Sequence, residues 1–460
     1  MATPDTITEA KSKSGEIAEV VSRLKKKTVE LPAWAELVKE YDPKLHPVMD
    51  KAIYQDKPGK NGKNIKVTRV TRGLQRRSVN IMTGMMFGIP VKRVYTHANK
   101  HEENAAKILE KIYEANHIDT TNIDRAAKLF ASCELATLWY AIREDNTLYG
   151  EKGLLKIKHL DFSPMTEDSI YPLFDEYRDM IALSFEYTRK EEGEMVTYFD
   201  SYTSTNHIKY RCAKNEWEVV ENEALESISK IPAVYINRPT PIWEESNNVT
   251  EIEWAYSRNG NYLRRNSVPI YEVCDDEKIK FGNESDDDER VVIQLSAAGK
   301  SGYKTWPQAV ESLKFQVQSL EDAFFTDIQL PNYSGMENNS GTASGESKKY
   351  RQMDSLIKVI TERGRWLEMF SRETKVIIAF AKAAFPAYAE AFDKITIEHV
   401  ITPFTITDEK DKIGNIATAL GAKVISRETG VGQLGWVQDV QAELKRIEAD
   451  ETADFTQPTE

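Results

Sequence analysis

The stretch WPQAVESLKFQVQSLEDAFFT, residues 306–326, carries the clearest periodicity in the chain. Its large apolar residues are spaced 4, 3, 4, 3 and 4 apart, which is typical of a helix with a narrow, coiled-coil-like seam. The seam residues are Trp306, Val310, Leu313, Val317, Leu320 and Phe324. A stripe this narrow needs a second helix against it, and the pattern predicts one nearby, over 249–266. The residues between the two helices then form a small β unit at the tip of an antiparallel helical pair.

The stretch that follows, QLPNYSGMENNSGTASGESKKY at 329–350, is rich in Gly, Ser, Asn and Thr. A structureless connection of this length is uncommon inside a compact domain and is usually a functional or a disordered loop. Beyond it, the apolar pattern over 348–385 predicts one helix about 55 Å long. An internal glycine, Gly364, is the predicted bend in this helix, and Pro386 ends it.

The remaining pattern predicts an α+β fold. Residues 1 to about 55 and the stretch from Glu102 to Leu138 have helical patterns, whereas 139–236 alternates strand-like runs with turns. This second region predicts an antiparallel sheet. A strand-like stretch at 394–404 is expected to return to the domain that contains this sheet, and 407–460 is expected to be helical.

Composition limits the classes of function. The chain has 460 residues and a formal net charge of -12, so we expect more than one domain and no tight wrapping of nucleic acid by the bulk surface. Three widely separated cysteines favour a reducing cytoplasm. The first residues lack the apolar core of a signal peptide, and the apolar stretch at 376–385 is too short to span a membrane. We therefore expect a soluble intracellular protein.

Two charged stretches leave alternatives open. Residues 57–77 contain eight basic residues and no acidic one. They fit a nucleic-acid footprint, or a basic loop that faces solvent or acidic groups, for which subunit contacts are the expected place. The carboxylates Asp286, Asp287, Asp288 and Glu289 fit a divalent metal site, but contiguous acids between two strands are more typical of a solvated hairpin tip.

No catalytic motif emerges from the sequence. His97 and His101 have the i, i+4 spacing of a zinc helix, but HANKHEE lacks the HExxH base. There is no GxSxG and no Walker A motif. We therefore predict that the protein is not an enzyme and needs no cofactor or metal. A metal-dependent nucleic-acid enzyme, whose separated carboxylates a single sequence would not reveal, stays an alternative.

The order of these elements resembles the portal proteins of tailed bacteriophages and related prophages. The resemblance runs from about residue 75 to 450. It rests on the sheet region ending in IPAVYIN, the helix containing ESLKFQVQSLEDAFF, the loop ending NNSGTASGESKKY, the long helix, and the closing VISRETGVGQLGWVQDVQAELKRIEAD. The N-terminal arm to about residue 70 has no counterpart in this pattern.

The resemblance implies a homo-oligomeric ring, typically dodecameric, at one capsid vertex, with double-stranded DNA in its central channel. It divides the chain into a wing (1–246 and 348–406), a stem (247–266 and 306–326), a clip (267–305), a tunnel loop (327–347) and a crown (407–460). The implied partners are the terminase, head-completion or adaptor proteins, the major capsid protein and the scaffold. The implied location is the virion, after assembly in the host cytoplasm, without membrane contact. The alternative within the same class is another phage structural or scaffold-binding protein.

The tunnel loop is the implied DNA-facing site. A loop that touches a moving duplex has to be pliable, polar and indifferent to sequence, and Gly and Ser supply that flexibility. The expected DNA-facing residues are Asn332, Ser334, Asn338, Asn339, Ser340, Gly341, Thr342, Ser344, Gly345, Lys348 and Lys349.

Overall fold

The structure is a computed structural model. It describes residues 14–26, 29–58, 64–191, 193–225, 228–244, 247–266, 270–274, 280–282, 292–294, 296, 298–304, 310–332, 352–405, 409–437 and 440–454. The helices are α1 Ser14–Leu24, α2 Trp34–Tyr41, α3 Leu74–Phe87, α4 Lys100–Ala115, α5 Ile118–Ser132, α6 Asn248–Asn266, α7 Val310–Asp327, α8 Met353–Ala384, α9 Ala389–Lys394, α10 Glu409–Gly421, α11 Arg427–Leu434 and α12 Val440–Asp454.

The strands form a mixed set of small antiparallel sheets, which confirms the α+β class. The strands are β1 Lys92–Thr96, β2 Glu134–Asn146, β3 Gly153–Phe162, β4 Ser169–Phe174, β5 Met180–Glu191, β6 Glu194–Thr203, β7 Asn206–Ala213, β8 Glu216–Ala224, β9 Ala233–Asn237, β10 Ile270–Cys274, β11 Lys280–Gly282, β12 Val292–Gln294, β13 Lys300–Lys304 and β14 Thr396–Val400. A three-stranded sheet has the order β3-β2-β9, a five-stranded sheet runs in sequence order from β4 to β8, and β1–β14, β10–β13 and β11–β12 are two-stranded.

The three-stranded sheet is covered on both faces. Successive side chains of a strand point to opposite faces, and over the first six residues of β2 both sets are buried. Leu135 and Trp139 pack into the helical core that contains α8, whereas Ala136 packs with Phe185 of the five-stranded sheet. The Phe162 and Phe185 rings stack across the two sheets with centroids 4.1 Å apart. The long helix, the small sheet and the large sheet therefore form successive layers.

The N-terminal arm adds a further layer. Ile17, Val21 and Leu24 lie on one stripe of α1 and are buried against Phe199 and Tyr210 on the outer face of the five-stranded sheet. The sequence pattern predicted an amphipathic helix here but not its partner. In the structure that partner is the large sheet.

Two predictions about elements need correction. The predicted helical pattern over Glu102–Leu138 is two helices, because His117 adopts a left-handed backbone with φ of 51°. The second helix ends at Cys133, and the chain is already a strand from Glu134. A short apolar run has no period that separates a buried strand from a helix. The strand predicted near 394–404 is present as β14, which pairs with β1.

The long helix is present, and residues 348–351 of its predicted range lie outside the described residues. It spans Met353–Ala384 and passes through Gly364 as regular helix. The bend at Gly364 stays a prediction. Trp366 lies at the middle of the helical core, where its ring contacts Phe87 at 4.8 Å and Phe370 at 5.9 Å between centroids.

Candidate functional site

The candidate site is the loop between α7 and α8. The structure describes the helices that support this loop, α6, α7 and α8, which we call the frame. Of the predicted DNA-facing residues, Asn332 is described, and its Nδ2 donates to Asp322 Oδ1 at 3.0 Å. The others lie outside the described residues: Ser334, Asn338, Asn339, Ser340, Gly341, Thr342, Ser344, Gly345, Lys348 and Lys349. Asp322 and Asn332, beside the start of the loop, and Asp354, just after its end, line one cleft of about 320 Å³.

Helices α6 and α7 pack against one another, as the seam in the sequence predicts. Val317 and Phe324 are buried, and Leu313 and Leu320 are partly buried against the same core. Trp306 lies outside the described residues, and α7 begins at Val310. The apolar seam therefore fixes α7 against the body of the protein along the side from which the loop departs.

An extended segment, 66–72, runs beside α6 and is held by the side chains of that helix. Residues four apart on a helix lie on one face, and Glu253, Ser257 and Asn261 present such a polar face to the segment. The bonds join Thr68 N–H to Asn261 Oδ1 at 2.7 Å, Val70 N–H to Ser257 Oγ at 2.9 Å and Arg72 N–H to Glu253 Oε1 at 2.7 Å. The end of the N-terminal arm is thereby fixed along the outside of the helical pair.

A buried histidine completes this polar face. His46 Nδ1 lies 2.6 Å from Glu253 Oε1, and His46 Nε2 lies 2.7 Å from the Glu40 carbonyl oxygen. Both ring nitrogens therefore face acceptors, which suits the protonated imidazolium. Burial lowers the pKa of His46, but the hydrogen bond and charge of Glu253 outweigh it and the net pKa is raised.

The arginines of the basic stretch, residues 57–77, form ion pairs within the chain. Glu321, on α7, lies 3.2 Å from Arg72 and 3.9 Å from Arg77. Arg69 pairs with Asp56 at 2.9 Å and Arg76 approaches Asp42 at 3.6 Å. Acidic groups therefore do meet this stretch, as one of the two interpretations held, but those described here belong to the same chain and not to a subunit contact. These four arginines already pair with carboxylates of the same chain, which weakens the interpretation of this stretch as a nucleic-acid footprint.

The side chain of Lys358, on α8, links the segment just before α6 to the segment just after α7. Its Nζ donates to the carbonyl oxygens of Ile328, just after α7, at 2.5 Å and of Ile242, before α6, at 3.3 Å. One turn along α8, Glu362 binds Arg238 in a bidentate pair at 2.9 and 3.1 Å. A single buried ammonium on α8 therefore ties together the two segments that lead into and out of the helical pair.

Burial lowers the pKa of Lys358 to about 8. A neutral amine still has two N–H donors for the two carbonyl groups, so losing the proton need not cost either hydrogen bond. Because the folded pKa lies below the value of 10.5 for a free lysine, the folded chain releases this proton first as pH rises.

We therefore expect wild-type stability, relative to a Lys358→Met variant, to increase between pH 8 and 9.5 by about 1–2 kcal/mol. The gain is lost as pH falls through 8. Thermal unfolding of both proteins at pH 7, 8 and 9.5 measures it. Lys375→Met, which removes an exposed lysine from the same helix, is the control and should show no such divergence. Parallel pH profiles for wild type and Lys358→Met would contradict the assignment.

The described residues show no catalytic arrangement. Within them, no group of three or more His, Cys, Asp or Glu side chains is placed to hold a metal ion. Asp286, Asp287, Asp288 and Glu289 lie outside the described part of the chain. The ring of His101 stacks on Tyr388 at 4.6 Å, and burial raises the pKa of the Cys133 thiol to about 12. No helix among the described residues has the length and apolarity to cross a membrane.

Comparison with known proteins identifies the family. The family model described as "Phage portal protein, SPP1 Gp6-like" matches residues 24–455. None of the curated proteins compared matches the chain. Among solved structures, a chain from a virion of a native gene transfer agent (GTA) particle is 11% identical, covering 92% of this chain and 99% of its own, with a TM-score of 0.33. That score is too low to support an argument. On the family match alone, which spans nearly the whole sequence, the chain belongs to the SPP1 Gp6-like family of phage portal proteins.

Proposed function

We propose that the chain forms a closed ring, expected to be a dodecamer, at one vertex of a capsid. Double-stranded DNA passes through its centre during genome packaging and ejection. The family membership supports a structural protein of the virion. A ring built from identical copies needs a heterologous contact whose rotation closes, and its centre is a pore by construction.

The observation that best supports the DNA-conduit role is the position of the loop between α7 and α8. Residues 333–351 connect two rigid helices, and the loop's ends are fixed by the Asn332–Asp322 hydrogen bond and by the start of α8. The loop sequence is polar, with Glu337 and Glu346 as its only charges before Lys348. Weak, sequence-indifferent contact suits a moving polyanion, because strong binding by Lys and Arg would retard it.

The net charge is consistent with this role. At -12 per chain, a ring repels phosphate and keeps the duplex near the axis of the channel. In this proposal the wing faces the capsid and scaffold proteins, and the clip meets the terminase and later the adaptor proteins. The protein acts as a conduit and docking platform with no active site of its own.

The mass of the purified particle tests the proposed ring. We expect analytical ultracentrifugation to give a closed oligomer of the 52.5 kDa chain, and negative-stain images to show a ring with a central hole. A compact monomer at micromolar concentration would contradict the proposal. That outcome would favour the nucleic-acid enzyme considered from the sequence.

A further inference from the structure

The outward face of α8 changes character at Gly364. Before it, three large apolar side chains are exposed at helical spacing: Met353 at 56%, Ile357 at 46% and Ile360 at 56%. The same line continues after it through Glu368, Ser371 and Lys375, which are also exposed. We call Met353, Ile357, Ile360 and Gly364 the α8 stripe. It is about 16 Å long, at 1.5 Å per residue.

The exposure of the α8 stripe does not result from a rotation of the helix that would turn its buried side outward. On the opposite side of the same turns, Val359 is fully buried, Lys358 binds two carbonyl oxygens, and Glu362 is paired with Arg238. The rotation of α8 about its own axis is therefore fixed. Single exposed apolar residues are common on proteins, whereas neighbouring apolar residues exposed at helical spacing are typical of a surface that another molecule covers.

Gly364 supplies an independent observation. A Cβ added at this position meets no atom within 4 Å, so the described chain offers no packing reason for a glycine in the middle of an exposed helix. Glycine is a poor helix former, because it loses more conformational freedom than alanine. Close approach of another backbone gives such a residue a role.

We propose that the α8 stripe is buried by a neighbouring copy of this chain and forms part of the contact between subunits. The inference rests on the proposed ring. The residues of the stripe indicate which molecule covers it. DNA is a poor fit, because Met353, Ile357, Ile360 and Gly364 carry no cation for phosphate. The chain's own residues 333–351 are mostly small and polar, and they supply few side chains to cover three large aliphatic ones.

In a closed ring each subunit gives one surface to one neighbour and a different, complementary surface to the other, and identical copies repeat this contact between every adjacent pair. The stripe begins beside the cleft that holds Asp322 and Asp354, next to the loop. A subunit contact at this level would brace each loop against its neighbour. It would place the apolar contact at the same height around the whole ring.

Charge substitution in the full-length protein tests the inference. We expect Ile357→Glu and Ile360→Glu each to weaken subunit association by on the order of a hundredfold or more, because a carboxylate is then buried against apolar surface. Sedimentation across a concentration series measures association. The matched control is Ser371→Glu, which adds the same charge to the same line of α8 beyond the stripe and should form rings like the wild type.

Gly364→Ala separates this contact from a folding effect. We expect it to raise the melting temperature of the dissociated subunit while weakening association, because the added methyl group has free space in the monomer but not in the contact. Rings of wild-type stability from Ile357→Glu and Ile360→Glu would overturn the inference and leave the proposed ring intact. A lower melting temperature of Ile357→Glu and Ile360→Glu with unchanged association would also overturn the inference, since the stripe would then be covered by its own chain. A monomeric wild type would overturn the proposed ring itself, and this contact with it.

Discussion

Replacing Glu373 by leucine is expected to lower the free energy of unfolding by about 3–5 kcal/mol. Glu373 is 1% exposed and accepts hydrogen bonds from Arg125 at 3.0 Å and from Trp139 Nε1 at 3.1 Å. Arg125 is fully buried, and its remaining carboxylate partner is Asp161 at 3.0 Å. Removing one member of a buried charged set leaves the others without compensation, and this cost exceeds the gain from the apolar replacement.

The position of Glu373 explains why the effect should be large. It lies on α8, whereas Trp139 is on β2 and Arg125 on α5, so one carboxylate links the long helix, the small sheet and the helical core. Burial alone would lower the pKa of Arg125, but the charges of Glu373 and Asp161 raise it. An arginine guanidinium keeps its proton in proteins even without such partners, so Arg125 stays charged in the variant.

Thermal unfolding of the dissociated subunit measures this prediction, as a fall of roughly 3–5 °C in melting temperature. Glu368→Leu is the control, because Glu368 is exposed and pairs with Arg372 on the surface of the same helix, where such pairs contribute little. Glu373→Gln keeps an acceptor for Trp139 and should lose less than Glu373→Leu. A Glu373→Leu protein within 1 kcal/mol of the wild type would show that the buried set is not what fixes α8.

Deleting residues 335–345 is expected to abolish the production of DNA-filled heads while leaving subunit assembly unchanged. The deletion leaves eight residues between Asn332 and Gln352, which can span about 26 Å when extended. The frame should therefore survive, because Asn332–Asp322 and the Lys358 contacts lie outside the deletion. Packaged DNA per head, measured with the oligomer mass of the purified ring, tests the prediction.

A matched variant keeps the loop length and changes its sequence. Replacing 335–345 by eleven alternating Gly and Ser residues should preserve packaging if the loop acts through pliancy and weak polar contact. Normal DNA-filled heads from the deletion would contradict a role for the loop in the channel. Failure of both variants with intact rings would instead indicate that particular side chains of the loop are needed.

The sequence predicted the elements whose pattern is local and long. The seam from Leu313 to Phe324 and the long helix follow from apolar spacing, which depends on the residues themselves. It missed the start of β2, because the run from Leu135 to Leu138 is apolar on both faces and owes its strand geometry to the two layers that cover it. The strand near 396 was predicted, but its pairing with β1 depends on residues far away in the chain, which the local pattern does not show.

The polar contacts of the site were beyond prediction for a different reason. Lys358 binds carbonyl oxygens 30 and 116 residues away in sequence, and Arg72 reaches Glu321 from 249 residues away. Nothing in the local pattern distinguishes Lys358 from a solvated lysine. The signal available was that Lys358 stands between Ile357 and Val359 in an apolar stretch of sequence, where a buried charge has to find partners.

An electron cryomicroscopy map of the assembled particle tests the central claim most directly. The account predicts a closed ring in which α6 and α7 lie side by side at the waist, the α8 stripe is covered by the adjacent subunit, and residues 333–351 face the central channel. A map in which these residues lie on the outer rim, away from any pore, would contradict the conduit.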